Sequence, residues 1–416
     1  MQRFDVHTAT LASTLEIAGP VLRVIKAAGQ EGRLVGGCVR DALLGHKIAD
    51  IDIAIDAVPE ETIDIFNSAG IKVVPTGLKH GTVTVVQGGT PFEITSLRQD
   101  VATDGRHAVV SFTKDWKADA ARRDFTINAL YADDRGYIYD YFGGQSDLVQ
   151  GIVRFIGDPH TRIREDHLRI LRYFRFALRF SRTNENGSLE LDAPSLQAVN
   201  ERVALLDSLS KERVQSELLK ILEDPYPLKI LRFMPDVFYI LFKVAPDFEL
   251  LGNILSRPDS LATRRSQCAS LRNLFAIYPR NVGVIKHNLK LSREQCGFIS
   301  ALHQIQDVAY SPANLLAIRI KHGDDIARGW ADVRTAIGDA LPLNAFDSAA
   351  PQFPLLGRDL ISAGLESPGP NIKKLLQACE DWWCESDGSP TREDCLEWCT
   401  THRHIGLPTD SPGGFL

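Results

Sequence analysis

Short stretches in which hydrophobic and polar residues alternate lie between about residues 33 and 151. They include Ile51–Ile55, Thr82–Val86 and Phe92–Leu97, where a period of two and many β-branched residues predict strands, the last two as partners. Glu60–Ala69, which follows a proline, has the spacing of an amphipathic helix. Strands with an inserted helix over this length predict a small α+β domain.

The hydrophobic pattern changes after Asp158 and Pro159. From Thr161 onward apolar residues mostly recur every three or four positions, as in Arg164–Phe180 and Lys211–Glu223, and strand patterns almost disappear. We therefore predict an α+β fold: a small N-terminal β-sheet domain with helices, followed by an all-α neck, body and tail. The predicted boundaries are residues 1–154 for the head, 155–224 for the neck, 225–345 for the body and 346–416 for the tail.

Composition narrows the class of protein. Of 416 residues, 44% are hydrophobic and 24% are charged, which is typical of a globular chain and excludes a disordered or fibrous one. No apolar run approaches the ~18–20 residues that span a bilayer, and no signal-peptide pattern is present, so we expect no membrane partner. Seven cysteines, sparse and odd in number, favour a reducing, cytoplasmic setting. With a net charge of −6, contact with nucleic acid requires a local basic surface.

A pair of glycines follows the first predicted strand. In the stretch Leu34–Asp41, Gly36 and Gly37 separate a strand from a helix, so the backbone could approach a ligand closely and helix N–H groups could face phosphate. Arg40 lies one turn into that helix, where it could add a charge-assisted contact. Taken alone, an ordinary strand–helix turn explains the pair better.

Two aspartates lie on the next predicted strand. Because residues two apart on a strand point to the same face, Asp50 and Asp52 should project together. Glu93, which alternates with core residues in a later strand, is a candidate third acid. Adjacent carboxylates repel unless a cation neutralises them, and hard oxygen ligands suit Mg²⁺. The alternative is a strand end with solvated acids.

Arginines recur every three or four residues along one face of the helix predicted after residue 163: Arg169, Arg172, Arg175 and Arg179. Residues 154–182 contain eight arginines against three acids, a local excess of positive charge in an acidic protein. An ordinary amphipathic helix would explain the leucines on the other face but not a stripe made of arginine alone.

The order of these features resembles a known family. Leu34–Ile55, with its Gly-Gly, Arg-Asp and Asp-x-Asp elements, closely resembles class II of the polymerase-beta-like nucleotidyltransferases, the tRNA CCA-adding enzymes and related bacterial poly(A) polymerases. The resemblance continues in order through Gly77–Thr82, Phe92–Arg98, Asp104–His107, Arg122–Ala129, Asp140–Leu148, Glu165–Arg172, Glu212–Arg213 and, after a gap, Gly357–Leu360 and Pro368–Pro370. So many motifs in the same order make a chance resemblance negligible.

The resemblance implies roles for individual residues in the head. Asp50 and Asp52, with Glu93, would hold two Mg²⁺ ions. Arg123 matches the family's nucleotide-binding arginine, and Asp124 could accept hydrogen bonds from ribose hydroxyls and so favour NTP over dNTP.

In the neck, the resemblance implies that a nucleobase is read by amino acids. Asp166 could accept from an exocyclic amine, and Arg169, one turn later on the predicted helix, could donate to a ring nitrogen or carbonyl. Cytosine and adenine share this amine-plus-acceptor edge, whereas uracil and guanine present the opposite order. Arg172 and Arg175 would bind the triphosphate.

The implied function is the addition of C, C and A to the 3′ end of tRNA from CTP and ATP, with release of pyrophosphate and no nucleic-acid template. The head would be catalytic, the tail would bind tRNA, and no DNA partner is expected. Alternatives are a poly(A) polymerase, a partial enzyme that adds only CC or only A, and an inactive RNA-binding protein on this fold. Gly77–Gly81 lacks the Gly-Arg-Arg-Phe run usual in those polymerases, and an intact loop at Asp104–His107 disfavours a CC-only enzyme.

Two further sets of residues are interpreted as structural. Glu212 and Arg213 should brace the neck through ion pairs. The C-terminal cysteines lack the C-x₂-C spacing of zinc sites, so we expect them to pack in a core despite the histidines nearby. The residues concerned are Cys379, Cys384, Cys395, Cys399, His402 and His404.

Overall fold

The computed structural model describes residues 9–48, 50–103, 108–256, 268–342, 345–367 and 369–402. The described residues up to Ile221, together with Lys229–Ala245, form one compact unit, and those of Leu222–Leu228 and from Pro246 onward form a second. The predicted loop Asp104–His107, Pro368 and His404 lie outside the described residues. The finer division into head, neck, body and tail stays a prediction.

The strands found among the described residues all belong to the first unit. They are β1 (Gly32–Val35), β2 (Asp52–Ile55), β3 (Lys72–Gly77), β4 (Thr82–Gln87), β5 (Thr90–Ser96), β6 (Arg98–Thr103), β7 (Ala108–Phe112), β8 (Leu130–Ala132) and β9 (Ile138–Asp140).

Helices of the first unit are α1 (Ala9–Ala27), α2 (Gly37–Leu43), α3 (Pro59–Ser68), α4 (Trp116–Ala121), α5 (Gly144–Gln150), α6 (Pro159–Glu165), α7 (Arg169–Phe180), α8 (Ala193–Arg202), α9 (Lys211–Leu222), α10 (Leu228–Leu231) and α11 (Pro235–Phe242). Short 3₁₀ helices cover Leu78–His80, Thr126–Asn128 and Val203–Ser208. The last residue of α9 and the first of α10 belong to the second unit.

Helices of the second unit are α12 (Glu249–Leu255), α13 (Ala269–Ile277), α14 (Val282–Asn288), α15 (Arg293–Ile305), α16 (Pro312–His322), α17 (Asp324–Ala336), α18 (Gly357–Ser362), α19 (Pro370–Glu385) and α20 (Arg392–Thr401). The α+β class is therefore confirmed, with the sheet near the N terminus and helices after it.

One mixed sheet organises the first unit. Within the described residues it has seven strands in the order β3-β4-β5-β2-β1-β8-β9, while β6 and β7 form a separate hairpin. The predicted pairing of β4 with β5 is confirmed as antiparallel, and β2 runs parallel to β5 with Asp52 opposite Glu93. Leu34, Ile53 and Ile55 are 0% exposed, so the alternating pattern does place apolar side chains in the core.

Two local predictions differ from the structure. Strand β2 begins at Asp52, so Asp50 precedes the strand rather than lying on it. The single helix predicted over Arg164–Phe180 is broken, because Asp166 is extended (φ −150°, ψ 107°) between α6 and α7. The Asp166 carboxylate accepts a hydrogen bond from the backbone N–H of Leu168 at 3.1 Å, a local contact that competes with helix continuation.

Helix α1 was not predicted, although its signal is present in the sequence. It buries Leu11, Thr14, Ala18, Val21 and Ile25, which recur at three- and four-residue intervals and give the helix one packed face. In the part of the chain that the structure describes, no helix is both long and apolar enough to cross a membrane.

The C-terminal cysteines pack as predicted. Cys379, Cys395 and Cys399 are 0% exposed and Cys384 is 3% exposed, in a core that includes Trp383. The cysteines lie on α19 and α20, and the thiol of Cys379 donates to the backbone oxygen of Cys395 at 3.6 Å.

Candidate active site

A polar cavity of about 430 Å³ opens in the first unit. Its lining includes most of the site residues predicted from the sequence: Gly36, Gly37, Arg40, Asp52, Arg123, Asp124, Asp166, Arg169 and Arg172. It also includes Arg122 and Asn128, which belong to the motif Arg122–Ala129 but were not among the predicted site residues, and Phe176, which the sequence did not single out. The structure therefore brings together residues from β2, α2, α7 and the segment after α4.

Three predicted site residues lie outside this lining among the described residues. Asp50 is exposed just before β2, and Glu93 lies on β5 directly opposite Asp52. Arg175 lies on α7 and donates from Nε to Glu217 at 2.6 Å. Asp50 and Glu93 therefore flank Asp52, whereas Arg175 is committed to a carboxylate on α9.

The two glycines make room for arginines. Gly36 has φ +71°, and a Cβ at this position would lie 3.3 Å from Nη1 of Arg123. A Cβ at Gly37 would lie 3.7 Å from Nη2 of Arg40. A side chain at Gly36 would thus be strained and would press on a guanidinium group, which explains the glycine at the start of α2.

Asp52 is the acid of the cavity whose pKa is raised. Burial and the negative charge of Glu93 raise its pKa to about 6, with a further contribution from Asp50, although the charge of Arg123 acts in the opposite direction. Neighbouring carboxylates are stabilised by a hard cation with oxygen ligands, so Asp52 and its acidic neighbours are of the type that a divalent metal ion prefers. Within the described residues, no three or more acids, histidines or cysteines are placed closely enough to hold a metal ion by themselves.

Arg123 is held by a buried carboxylate that the sequence analysis missed. Asp119 is 1% exposed and accepts from Nη2 of Arg123 at 3.1 Å, from Arg122 and from the hydroxyl of Tyr131 at 2.7 Å. Burial alone would raise the pKa of Asp119, but the charges of Arg123 and Arg122 lower it to about 2. The spacing of four residues between Asp119 and Arg123 at the end of α4 was the available signal.

Asp124 is fully engaged by protein donors. Its Oδ1 accepts from the backbone N–H of Phe125 and from Nδ2 of Asn128, both at 2.9 Å. Its Oδ2 accepts from Nε and Nη2 of Arg172 at 2.8 and 2.6 Å. Burial would raise the pKa of Asp124, but Arg172 and these hydrogen bonds lower it. A carboxylate has about four acceptor positions, so a ribose hydroxyl would have to displace one of these donors.

Asp166 and Arg169 have different partners. Both oxygens of Asp166 lie within 3.0 Å of Nη2 of Arg213, a residue on α9. Arg169 donates to Glu165 at 2.7 Å and to the backbone oxygens of Arg162 and Arg122. The expectation that Arg213 braces the neck through an ion pair is confirmed, and its partner is the proposed base-reading carboxylate.

Comparison with known proteins identifies the family. A family model described as "Poly A polymerase head domain" matches residues 32–154, and one described as "Probable RNA and SrmB- binding site of polymerase A" matches residues 188–237. The chain is 42% identical over 408 residues to the CCA-adding enzyme of Streptococcus mutans, covering 93% of this chain and 97% of that relative. The chain belongs to the CCA-adding enzyme family.

Two further similarities, to a human protein and to a bacterial crystal structure, support membership of the CCA-adding enzyme family. The human mitochondrial CCA tRNA nucleotidyltransferase 1 is 33% identical over 381 residues, with 88% of this chain and 86% of that protein covered. The crystal structure of the Bacillus stearothermophilus CCA-adding enzyme in complex with CTP matches with a TM-score of 0.73 at 25% identity, covering 95% of this chain and 98% of the other. The protein is accordingly a nucleotidyltransferase of a family that uses a divalent metal ion.

Proposed function

We propose that the protein adds C, C and A to the 3′ end of tRNA from CTP and ATP, without a nucleic-acid template and with release of pyrophosphate. The observation that carries the proposal is a single cavity that combines Asp52, a set of arginines against a glycine turn, and the pair Asp166 and Arg169. The arginines of this cavity suit a triphosphate, and the carboxylate of Asp52 suits a metal ion. The carboxylate and guanidinium suit the polar edge of a base.

The proposed metal is Mg²⁺, held by Asp50 and Asp52 with Glu93 and by further ligands from outside the chain. When bound, Mg²⁺ would lower the pKa of the terminal ribose hydroxyl of tRNA and offset the negative charge of the triphosphate. This assignment is supported by the position of Glu93 directly opposite Asp52 on the neighbouring strand, with Asp50 two residues before Asp52. Burial, together with the negative charges of these two acids, raises the pKa of Asp52.

The arginines are proposed to bind and orient the triphosphate. Arg40 and Arg123 lie against the glycine turn, and Arg172 lines the same cavity. Each guanidinium is fixed by a carboxylate, respectively Asp41, Asp119 and Asp124, so its orientation is set before a nucleotide arrives. We propose Arg175 as a more distant contributor, because Glu217 engages it.

Base selection is proposed to use groups of Asp166 and Arg169 that remain available in the cavity. Among the described contacts, Arg169 uses three of its five N–H donors, which leaves two for a base edge. Asp166 meets one nitrogen of Arg213 and keeps acceptor capacity toward the exocyclic amine of cytosine or adenine. Since Asp166 lies between α6 and α7, the turn rather than a helix face sets the relative position of the two groups.

The proposal also covers the cellular compartment of the protein and its binding partners. We propose a cytoplasmic enzyme whose partners are tRNA, CTP and ATP, with no DNA partner. The seven free cysteines support a reducing compartment. Some relatives carry mitochondrial names, so membership of the family alone does not determine the compartment.

The test is incubation of the protein with Mg²⁺, a tRNA that lacks its last three nucleotides, and labelled NTPs, singly and together. We expect C to be added from CTP alone and a full three-nucleotide extension from CTP with ATP. A long A tail from ATP would indicate a poly(A) polymerase, an arrest after CC or addition of A only would indicate a partial enzyme, and no product would indicate an RNA-binding protein. The Asp52→Asn variant provides the inactive control.

A further inference from the structure

Asn128 is a buried polar residue of the cavity that belongs to the motif Arg122–Ala129 but to which the sequence assigned no role of its own. Its side chain is 7% exposed and connects two charged groups that lie far apart in the chain. Nη1 of Arg40 donates to Oδ1 of Asn128 at 2.5 Å, and Nδ2 of Asn128 donates to Oδ1 of Asp124 at 2.9 Å. The amide therefore stands between a cation and an anion.

The chemistry of the two neighbours fixes this arrangement. Arginine carries only donors and an ionised aspartate only acceptors, so a residue that bonds both needs one acceptor and one donor. An asparagine amide supplies one of each without adding a charge. The Asn128 side chain thereby links Arg40 to Asp124, and in this bridge each of the two charged groups bonds the amide rather than the other.

The backbone of Asn128 is held independently of its side chain. The 3₁₀ helix Thr126–Asn128 is anchored by a bond from the Thr126 hydroxyl to Asp147 at 2.6 Å and by a bond from the Thr126 N–H to Arg154. A Cβ at Gly144 would lie 2.1 Å from the backbone oxygen of Thr126, so this turn is also closely packed. A change confined to the Asn128 amide should leave the turn in place.

Arg40 is otherwise fixed on two sides. Its Nε and Nη2 bond Asp41 at 3.0 and 2.9 Å, and its guanidinium carbon lies 4.4 Å from the ring centre of Phe180. The Asn128 bond completes this setting and leaves one N–H on each terminal nitrogen for a ligand in the cavity. Without the amide, Nη1 of Arg40 and Oδ1 of Asp124 would each lose a partner, and direct attraction would draw the guanidinium toward Asp124.

We propose that Asn128 is a positioning residue that keeps Arg40 directed at the triphosphate by serving as a neutral spacer between Arg40 and Asp124. This inference rests on the proposed function, since it takes a nucleoside triphosphate as the ligand. The Asp124 carboxylate then stays committed to Arg172, and the charge of Arg40 stays available for phosphate.

The test compares the dissociation constants of CTP and CMP, because CMP lacks the outer phosphates. Asn128→Ala should weaken CTP binding about ten- to hundredfold, the usual range for a lost hydrogen bond to a charged group, and change CMP binding much less. Asn128→Asp, of nearly the same shape, should also weaken CTP, because its negative charge would neutralise Arg40.

A matched control lies in the same turn. Thr126→Val removes the bond to Asp147, so it should lower the midpoint of thermal unfolding while the ratio of CTP to CMP affinity stays at the wild-type value. Equal weakening of CTP and CMP by Asn128→Ala would overturn the proposal and leave Asn128 a purely structural residue.

A double-mutant cycle tests whether Asn128 acts through Arg40. In an Arg40→Ala background, Asn128→Ala should cause little further loss of CTP affinity, whereas additive losses would overturn the proposal. These binding measurements are separate from the tRNA extension assay with the wild-type chain. A wild-type protein that extends no tRNA would contradict the proposed function, whereas a normal extension with additive losses would contradict this inference alone.

Discussion

The buried side chains around the cavity of the first unit differ in kind from those in the cysteine–tryptophan core of the second unit. The former are charged and paired, whereas the latter are mostly apolar. Around the cavity, charged side chains such as Arg40, Asp119 and Asp124 are at least nine-tenths buried, and each is paired. In the second core, Cys379 and Trp383 are at most 2% exposed among apolar neighbours.

This difference predicts which property each region controls. Buried ion pairs contribute little net stability because desolvation offsets their attraction, whereas apolar burial stabilises the fold directly. Substitutions at the cavity that leave these ion pairs intact, such as those at Asp52, should therefore change nucleotide use more than stability, and those in the second core should do the reverse.

The largest expected effect is at Asp52. Asp52→Ala removes the most buried acid of the proposed metal site, so incorporation of CTP should fall by at least about a thousandfold while tRNA affinity stays near the wild-type value. Steady-state incorporation at saturating Mg²⁺ and a filter-binding assay measure the two quantities. Asp64→Ala, an exposed carboxylate on α3, is the control and should behave as wild type. Retention of a tenth of the wild-type rate by Asp52→Ala would contradict the metal assignment.

The reverse case is Trp383 in the second unit. Trp383→Ala should reduce the free energy of unfolding by about 3–5 kcal/mol, because it leaves a cavity in an apolar core and removes a donor to the backbone oxygen of Pro390. Urea unfolding measures the loss. The KM for CTP of the remaining folded protein should be unchanged. A tenfold rise in that KM would contradict the expectation that the second core controls stability rather than nucleotide use.

A smaller and more selective effect is expected at Asp166. Asp166→Ala removes the acceptor for the exocyclic amine, so discrimination against UTP and GTP should relax about ten- to hundredfold, corresponding to ~1.5–3 kcal/mol. The measurement is kcat/KM for the four NTPs on a tRNA that ends before the first C. Arg213→Ala, which removes the partner of Asp166 but leaves the carboxylate, is the matched variant and should retain the preference for CTP and ATP. An equal loss for all four NTPs in Asp166→Ala would make this residue structural.

The smallest expected effect is the pH dependence that Asp119 gives to stability. The folded-state pKa of Asp119 is lowered from 3.8 to about 2, so its stabilising contribution is present above about pH 4 and is lost as the pH falls toward 2. The size is about 2 kcal/mol for the shift of this buried group. Urea unfolding from pH 6 to pH 2 should show this loss in the wild type, beyond that seen in Asp119→Asn. An equal loss of unfolding free energy with falling pH in the wild type and in Asp119→Asn would contradict the lowered pKa assigned to Asp119.

The sequence predicted much of the fold because its signals are local. The period of two in Thr82–Val86 and Phe92–Leu97 is sufficient to predict strands, since alternate residues of a strand face the core. The break at Asp166 was missed because a helical period continues across it, while the side chain bonds its own backbone two residues later. Helix α1 was missed although its apolar spacing was present.

For individual site residues, the sequence predicted the kind of chemical group but not its partners. An Arg stripe and an Asp-x-Asp pair indicate cations and acids, and the structure places three of these six residues, Asp52, Arg169 and Arg172, at one cavity. Asn128 had no comparable signal, because an isolated asparagine beside a turn is ordinary in any sequence. The four-residue spacing between Asp119 and Arg123 was a signal, but such a spacing is common on helices and does not by itself show that the two side chains pair. Their assignment depends on what lies next to them in space.

The sequence by itself determined the α+β class, four strands of the sheet (β1, β2, β4 and β5), the glycine turn and the family resemblance, since each follows from neighbouring residues. Only the tertiary structure decided which partner each charged side chain has. Arg40 meets Asn128 across 88 positions of the chain, Arg172 meets Asp124 across 48, and Arg213 meets Asp166 across 47. Such pairs carry no local period, because they form only when packing of the sheet and the helices brings distant segments within hydrogen-bond distance, and burial then makes an unpaired charge too costly to leave.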